Sequence, residues 1–135
     1  MQGLRMSASE QARAIADAQL IAYNAQDMDA YLALFHDDAV LVNLPAQDVI
    51  AEGLAAIRAM YEVRFATPGL HCEVTHRAEL GPVAIDHETV YTDGHPPLNV
   101  LAMYEVVDHK IKRIFFVRGG DIPTPSAPSS KEIDA

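Results

Sequence analysis

The sequence has no tryptophan, a single cysteine and few basic residues. Ten lysines and arginines stand against 19 aspartates and glutamates in 135 residues, for a formal net charge of −9. Because there is no basic run, we expect no binding to nucleic acid or to an anionic membrane surface. Cys72 alone cannot form an internal disulfide, which is typical of a reducing compartment. No apolar run approaches the roughly 20 residues of a membrane span, and MQGLRMSASE lacks the apolar core of a secretion signal. A cytoplasmic protein is therefore expected.

The sequence also lacks the common motifs that hold metals, phosphates or reactive nucleophiles. None of the six histidines forms an H-x-H or H-x-x-x-H pair, and there is no cysteine pair to complete a metal site. The phosphate loops G-x-x-x-x-G-K and G-x-G-x-x-G are absent, as is the nucleophile motif G-x-S-x-G. We therefore expect no metal and no cofactor, so that any chemistry would come from the side chains of the chain itself.

The length predicts one domain, over residues 7–119. The remainder, 120–135, is rich in proline, serine and charge. We expect it to be a tail that is mobile or packed on a partner subunit.

Helices are predicted in the first half of the chain. Ser7 and Glu10 have the spacing of a capping box, in which each side chain satisfies a free backbone N–H, and they indicate where the first helix begins. A short second helix is predicted to end near 36–38. A third helix is predicted over 54–66 and is terminated by Pro68-Gly69.

Strands are predicted at 39–45 and 49–53, and then through most of the chain from residue 71. HCEVTHRAEL (71–80) alternates between apolar and polar residues, which predicts a strand with His76 on the same face as Cys72. Three further strands follow, each after a turn. The turns are predicted at Gly81-Pro82, Asp93-Gly94 and Asp108-His109. The order α-α-β-β-α-β-β-β-β predicts an α+β domain in which a curved sheet closes over helices.

One predicted strand, VAIDHETV (83–90), carries three consecutive ionisable residues. Asp86 and Glu88 share one face, and His87 lies on the other. Either the two carboxylates point into the protein, or the register differs by one residue and His87 does. Two carboxylates about 7 Å apart in a dry pocket do not both ionise readily. One of them would then have a raised pKa and could serve as a general acid or base.

Three segments of the chain resemble a known family. They are YNAQDMDAYLALFHDDAVLVNLP, GLAAIRAMYEVRF and LAMYEVVDHKIKRIFFV. Together they resemble the nuclear transport factor 2-like superfamily, in its SnoaL-like and ketosteroid-isomerase-like branch, over residues 10–118. The resemblance implies an α+β barrel: a cone-shaped, curved antiparallel or mixed sheet wrapped on three helices from the N-terminal half. It also implies a cavity for a small apolar, polyketide-like or steroid-like ligand, and a homodimer formed through the outer sheet face.

The residues that carry the isomerase reaction in this family are replaced here. By the resemblance, the catalytic base falls on Asn43, the oxyanion-hole tyrosine on Gln19 and the oxyanion-hole aspartate on Ala102. Neither Asn43 nor Ala102 can exchange a proton. The isomerase mechanism, as that family runs it, is therefore not expected.

The sequence also resembles limonene epoxide hydrolase, which has the same kind of cavity. Its asparagine and its proton-donating aspartate match Asn43 and Asp86. However, the position of its water-activating aspartate is Phe116, and the position of its arginine is Ala84. The resemblance therefore implies a cavity and leaves the reaction open.

The register that the resemblance implies turns the face of Asp86 and Glu88 inward. We predict these two residues as the proton-transfer pair, with His76 sharing the proton. The ligand-binding residues are predicted to be Asn43, Gln19, Tyr61, Ala102, Tyr104, Phe116 and Arg118. The leading hypothesis is a cofactor-independent acid/base enzyme of the isomerase, cyclase or epoxide-hydrolase type. The alternative is a non-catalytic small-ligand-binding or dimerisation module of the same fold.

Overall fold

The computed structural model describes residues 5–119, in which three helices pack against the concave side of one sheet. The elements are α1 Ala8–Ala25, α2 Met28–Leu32, β1 Phe35–Asn43, β2 Asp48–Glu52, α3 Leu54–Phe65, β3 His71–Leu80, β4 Val83–Tyr91, β5 Leu98–Val107 and β6 Lys110–Arg118. The predicted element order and α+β class are confirmed. The predicted tail lies outside the described residues. Over 5–119, no helix has the length and apolar character needed to cross a membrane.

The six strands form one mixed, unclosed sheet in the order β2-β1-β6-β5-β4-β3. Strands β3 to β6 pair as successive antiparallel neighbours, whereas β1 lies parallel to β6. Because β2 and β3 are the two edges, the barrel stays open, and the helices cover its concave face. The predicted curved, mixed sheet is confirmed.

Helix α1 is fixed at both ends by side chains that the sequence places there. At its start, Ser7 Oγ accepts from the backbone N–H of Glu10 (3.1 Å), and Glu10 Oε1 accepts from that of Ser7 (2.8 Å). This is the predicted capping box. Near its end, Asn24 Nδ2 donates to the carbonyl of Cys72 (2.9 Å), and the Cys72 N–H donates to Asn24 Oδ1 (2.8 Å). The second pair holds the helix on edge strand β3.

The second helix is shorter than the sequence predicts. It ends at Leu32, and β1 already begins at Phe35. Phe35 is paired with Ile111 of β6, and the Ile111 N–H donates to the carbonyl of Leu34 (2.7 Å). This long-range pairing prevails over the local helical periodicity, because strand formation depends on the neighbouring strand more than on intrinsic preference.

A β-bulge interrupts β3, and the simple alternation predicted for 71–80 is wrong beyond it. Val74 is opposite Glu88, but His76 is opposite His87, so that Thr75 is an extra residue. An extra residue in one strand turns all later side chains to the other face. His76 is therefore exposed on the convex face, contrary to the prediction that it points into the cavity.

The same bulge turns Arg77 toward the helices, where it pairs with Asp86. Arg77 Nε lies 2.5 Å from Asp86 Oδ1, and a second guanidinium nitrogen lies 3.0 Å from Oδ2. Arg77 also pairs with Asp17 of α1. Asp86 is completely buried, and a buried carboxylate needs such a partner. The ion-paired group thus connects α1, β3 and β4 beneath the cavity.

Candidate active site

A cavity of about 590 Å³ lies between the concave sheet face and the three helices. Most of its wall is aliphatic or aromatic, and it includes four of the five tyrosines of the chain; they are Tyr23, Tyr31, Tyr61 and Tyr104. The other polar or ionisable side chains of the wall are Gln19, Asn43, Arg64, Thr67, Cys72, Glu88 and Arg118. Its volume suits one small organic molecule.

Glu88 is the carboxylate of this wall. It is 6% exposed, and Tyr104 Oη donates a hydrogen bond to its Oε2 at 3.0 Å. Burial raises the pKa of Glu88 to about 7, an effect that the hydrogen bond from Tyr104 partly opposes and the negative charge of Asp86 reinforces. Among residues 5–119 no cationic side chain lies within ion-pair distance of it. Glu88 therefore exchanges its proton near neutral pH.

The register of β4 is the one with both carboxylates inward. Buried and half-buried residues alternate along the whole strand, and the buried ones are Ala84, Asp86, Glu88 and Val90. His87 lies on the convex face, where its ring is 6.0 Å from that of His76. Neither imidazole reaches the cavity.

Two alanines give Tyr104 the room to reach Glu88. Tyr104 lies opposite Ala84, four residues from Glu88 along β4. Its ring must therefore lean along the strand past Ala102, and both alanines are completely buried. The space left by their small side chains on the concave face is what the phenol ring needs.

Asp86 and Glu88 are not an equivalent pair. Asp86 does not line the cavity, because its carboxylate is enclosed by Arg77 on the side of α1 and β3. Its influence on Glu88 is electrostatic: the nearby negative charge disfavours a second one. Asp86 was predicted to form a proton-transfer pair with Glu88, and the structure places its carboxylate against Arg77, outside the cavity wall. Its position on the inward face agrees with the predicted register.

The other predicted ligand-binding residues line the cavity with one exception; those that do are Gln19, Asn43, Tyr61, Tyr104, Phe116 and Arg118. The exception is Ala102, which is opposite Asp86 and lies beneath the wall. At the side of the cavity near the end of β1, Arg118 Nε is 3.4 Å from Asn43 Oδ1. Gln19 Nε2 donates to the carbonyl of Ala16 in its own helix (3.2 Å).

Sequence reasoning missed several lining residues on the helices. Tyr23 and Tyr31 belong to an aromatic cluster with Tyr61, in which the rings of Tyr31 and Tyr61 are 4.7 Å apart. A helical apolar stripe predicts burial, but it does not distinguish a core residue from one beside a cavity. Arg64 of α3 was likewise not predicted.

No group of three or more His, Cys, Asp or Glu side chains in the range 5–119 is arranged to hold a metal ion. The arrangement instead brings a titratable carboxylic acid, phenol hydroxyls and apolar surface together. These are components of general acid–base proton transfer.

The chain belongs to the SnoaL-like domain family, whose profile matches residues 16–114. A comparison with proteins of curated function gives no match. Among solved structures, a cystatin-fold protein from Novosphingobium aromaticivorans is 34% identical, covers 84% of this chain and 100% of its own length, and has a TM-score of 0.71.

Two further solved structures have the same fold. A proposed ketosteroid isomerase from Kribbella flavida DSM 17836 is 22% identical over 95% of this chain and 90% of its own, with a TM-score of 0.77. An NTF2-like protein from Burkholderia xenovorans LB400 is 20% identical over 87% and 89%, with a TM-score of 0.73. The family profile confirms the predicted resemblance to the SnoaL-like branch, and the two structures confirm the predicted nuclear transport factor 2-like fold.

The raised pKa of Glu88 predicts how stability depends on pH. Between the ordinary value of 4.5 and about 7, the folded protein holds a proton that the unfolded chain releases. The free energy of unfolding therefore falls as pH rises through this window, by about 3 kcal/mol in total. In E88Q this loss is absent.

Urea denaturation of wild type and E88Q at about pH 4 and about pH 8 checks this prediction. The variant should gain about 3 kcal/mol relative to wild type between the two pH values. E62Q, which removes an exposed carboxylate from α3, controls for the change in net charge. If the difference in the free energy of unfolding between wild type and E88Q is the same at both pH values, the raised pKa is contradicted.

Proposed function

We propose that the protein is a cytoplasmic, cofactor-independent acid/base enzyme acting on a small, mostly apolar molecule, with Glu88 as the group that carries the proton. The observation that carries this proposal is a buried carboxylic acid with a pKa of about 7, facing a cavity of about 590 Å³. A general acid or base works best when its pKa is near the working pH.

The reaction that suits this cavity is proton transfer next to a carbonyl group. The carboxylate of Glu88 removes a proton from the carbon beside the carbonyl. The electron pair of that C–H bond forms a C=C bond, and the π pair of the carbonyl moves to its oxygen. Where a C=C bond is conjugated with the enolate, Glu88, now protonated, returns the proton at the far carbon of that bond, which gives an isomer with the double bond shifted. Alternatively, the enolate carbon attacks a second carbonyl, which closes a ring, and the protonated Glu88 gives its proton to the new alkoxide oxygen. Neither outcome requires an oxidant or a reductant.

The tyrosines of α2 and α3 are suited to stabilise the enolate oxygen. Tyr104 is engaged with Glu88, whereas Tyr31 and Tyr61 also line the cavity. Burial raises the pKa of Tyr61, so that its hydroxyl keeps its proton and can donate a hydrogen bond. Donors fixed in a dry site before the charge develops are the main source of such stabilisation.

Glu88 would thus take the role of base from a different strand than in the isomerases that the sequence resembles. Asn43, at the end of β1, remains as an amide that can orient a ligand. Asp86 sets the pKa of Glu88 without contacting the ligand. Asn43 and Ala102 favour the alternative, a non-catalytic binding module, because they replace proton-carrying residues.

Solvent-deuterium exchange tests for catalysis and does not require the natural substrate to be known. Wild type is incubated in D₂O with a panel of small cyclic and aromatic ketones, and deuterium uptake beside the carbonyl is followed by proton NMR. We expect E88Q to lose about 100-fold or more of the exchange rate, whereas E62Q keeps it. Because the basic form of Glu88 is active, the wild-type rate should rise with pH through about 7 and then level off.

The D86N variant distinguishes the role of Asp86 from that of Glu88. Removing the negative charge beside Glu88 should shift the midpoint of the pH profile to lower pH while exchange persists. Exchange at wild-type rates in E88Q, or no exchange above the background of the buffer with any ketone of the panel, would favour the binding module.

We also propose that the convex sheet face pairs with a second copy of the chain. Ile85, Met103 and Phe115 lie side by side across β4, β5 and β6 on this face, half-buried, and Leu101 is 39% exposed. A contiguous apolar row on a sheet surface is typical of an interface.

Light scattering should give twice the monomer mass for wild type and the monomer mass for Met103→Lys. A wild-type monomer at high concentration would contradict the dimer.

A further inference from the structure

Two arginines line the cavity without a carboxylate partner. Arg64 comes from α3 and Arg118 from the end of β6. In the described part of the chain, no carboxylate lies within 4.0 Å of either guanidinium, whereas the arginines that do have an acidic partner are Arg13, Arg58, Arg77 and Arg113. This is notable in a chain with nearly twice as many acidic as basic residues.

The protein satisfies the guanidinium of Arg118 only in part. Its Nε lies 3.4 Å from Asn43 Oδ1, which is long for a hydrogen bond, and its central carbon lies 4.8 Å from the centre of the Phe116 ring. A guanidinium has five N–H donors. Burial lowers the pKa of Arg118, which shows that the charge has lost part of its hydration. An anion in the cavity would restore the missing hydrogen bonds.

Arg118 and Glu88 lie on opposite sides of the cavity floor. In the sheet register, Glu88 is opposite Val100, and Val100 is opposite Arg118. The two charged residues are therefore two strand spacings apart, about 10 Å between Cα positions. Val100 between them is buried and apolar. A ligand that touches both residues must cross an apolar surface.

We infer that the ligand is a small organic acid, whose carboxylate binds Arg118 and Arg64, whose apolar body lies over Val100 and whose reactive carbon lies at Glu88. The planar guanidinium matches the two oxygens of a carboxylate with parallel hydrogen bonds. Such an acid would be the substrate of the proposed proton transfer, and in that respect the ligand class rests on the proposed function. The carboxylate contact itself requires no reaction.

Matched pairs of acids and amides test this assignment. The probes are phenylacetate, 2-naphthylacetate and 4-phenylbutyrate, each against the amide with the same apolar body. Isothermal titration calorimetry is run at low salt and about pH 6, where Glu88 is mostly protonated and does not repel the acid. We expect wild type to bind at least one acid about 10-fold or more tightly than its amide.

Variants of the arginines test which side chain causes the preference for the acid over its amide. R118Q should reduce it to about 2-fold, because the amide keeps the apolar contacts and the acid loses its partner. R64Q should reduce it by a smaller factor, and it keeps the test decisive should R118Q fail to fold. R58Q is the matched control: Arg58 also lies on α3, but it pairs with Asp29 and does not line the cavity. It should keep the wild-type preference.

Three results would overturn the assignment. They are the absence of any acid preference in wild type, a preference that survives in both R118Q and R64Q, and a preference that disappears in E88Q. Because Glu88 is mostly protonated at the pH of the titration, E88Q leaves the charge of the cavity nearly unchanged and should keep the preference. Because binding is measured at equilibrium, a failure of deuterium exchange leaves this result standing, and a failure of acid selectivity leaves the exchange standing.

Discussion

The dehydrated carboxyl group of Glu88 is the constraint on which the candidate site depends. A carboxylate on the wall of an apolar cavity has either to be paired with a cation or to hold a proton near neutral pH. Arg77, which lies beneath the cavity, has its hydrogen bonds to Asp86 and Asp17. Glu88 is left with the hydroxyl of Tyr104, which donates a hydrogen bond, and with the thiol of Cys72, and neither group is a cation. Asp86 and Glu88 therefore differ in their role because Arg77 forms an ion pair with Asp86 and not with Glu88.

A single extra residue in β3 makes that division possible. Without the bulge at Thr75, His76 would face the cavity and Arg77 would face outward. Asp86 would then be buried without a counter-charge, a situation that destabilises a fold by several kcal/mol. With the bulge, Arg77 connects β3 and β4 to α1, and the two histidines stack on the convex face. The bulge in edge strand β3 therefore determines which carboxylate of β4 is ion-paired and which one faces the cavity without a cation.

Local patterns in the sequence were enough for much of the fold. The capping box at Ser7 and the turns follow from turn chemistry. The strand period placed Asp86 and Glu88 on one face of β4, but it left open whether that face or His87 points inward, and the inward register came from the family resemblance. The bulge does not follow from any such pattern, because nothing in HCEVTHRAEL marks the extra residue. The early start of β1 at Phe35 depends on β6, which is distant in sequence. Tyr31 has the helical spacing of a core residue, and only the assembled structure shows that it also borders a cavity.

The most direct test of this account is the titration of Glu88 itself. In protein labelled with ¹³C at glutamate, the side-chain carboxyl resonance that is absent from E88Q can be assigned to Glu88 and followed across the pH range. We expect a midpoint of about 7 for that resonance. A midpoint near the ordinary value of 4.5 would contradict it, because Glu88 would then be a constant negative charge in the cavity and could not carry a proton at neutral pH.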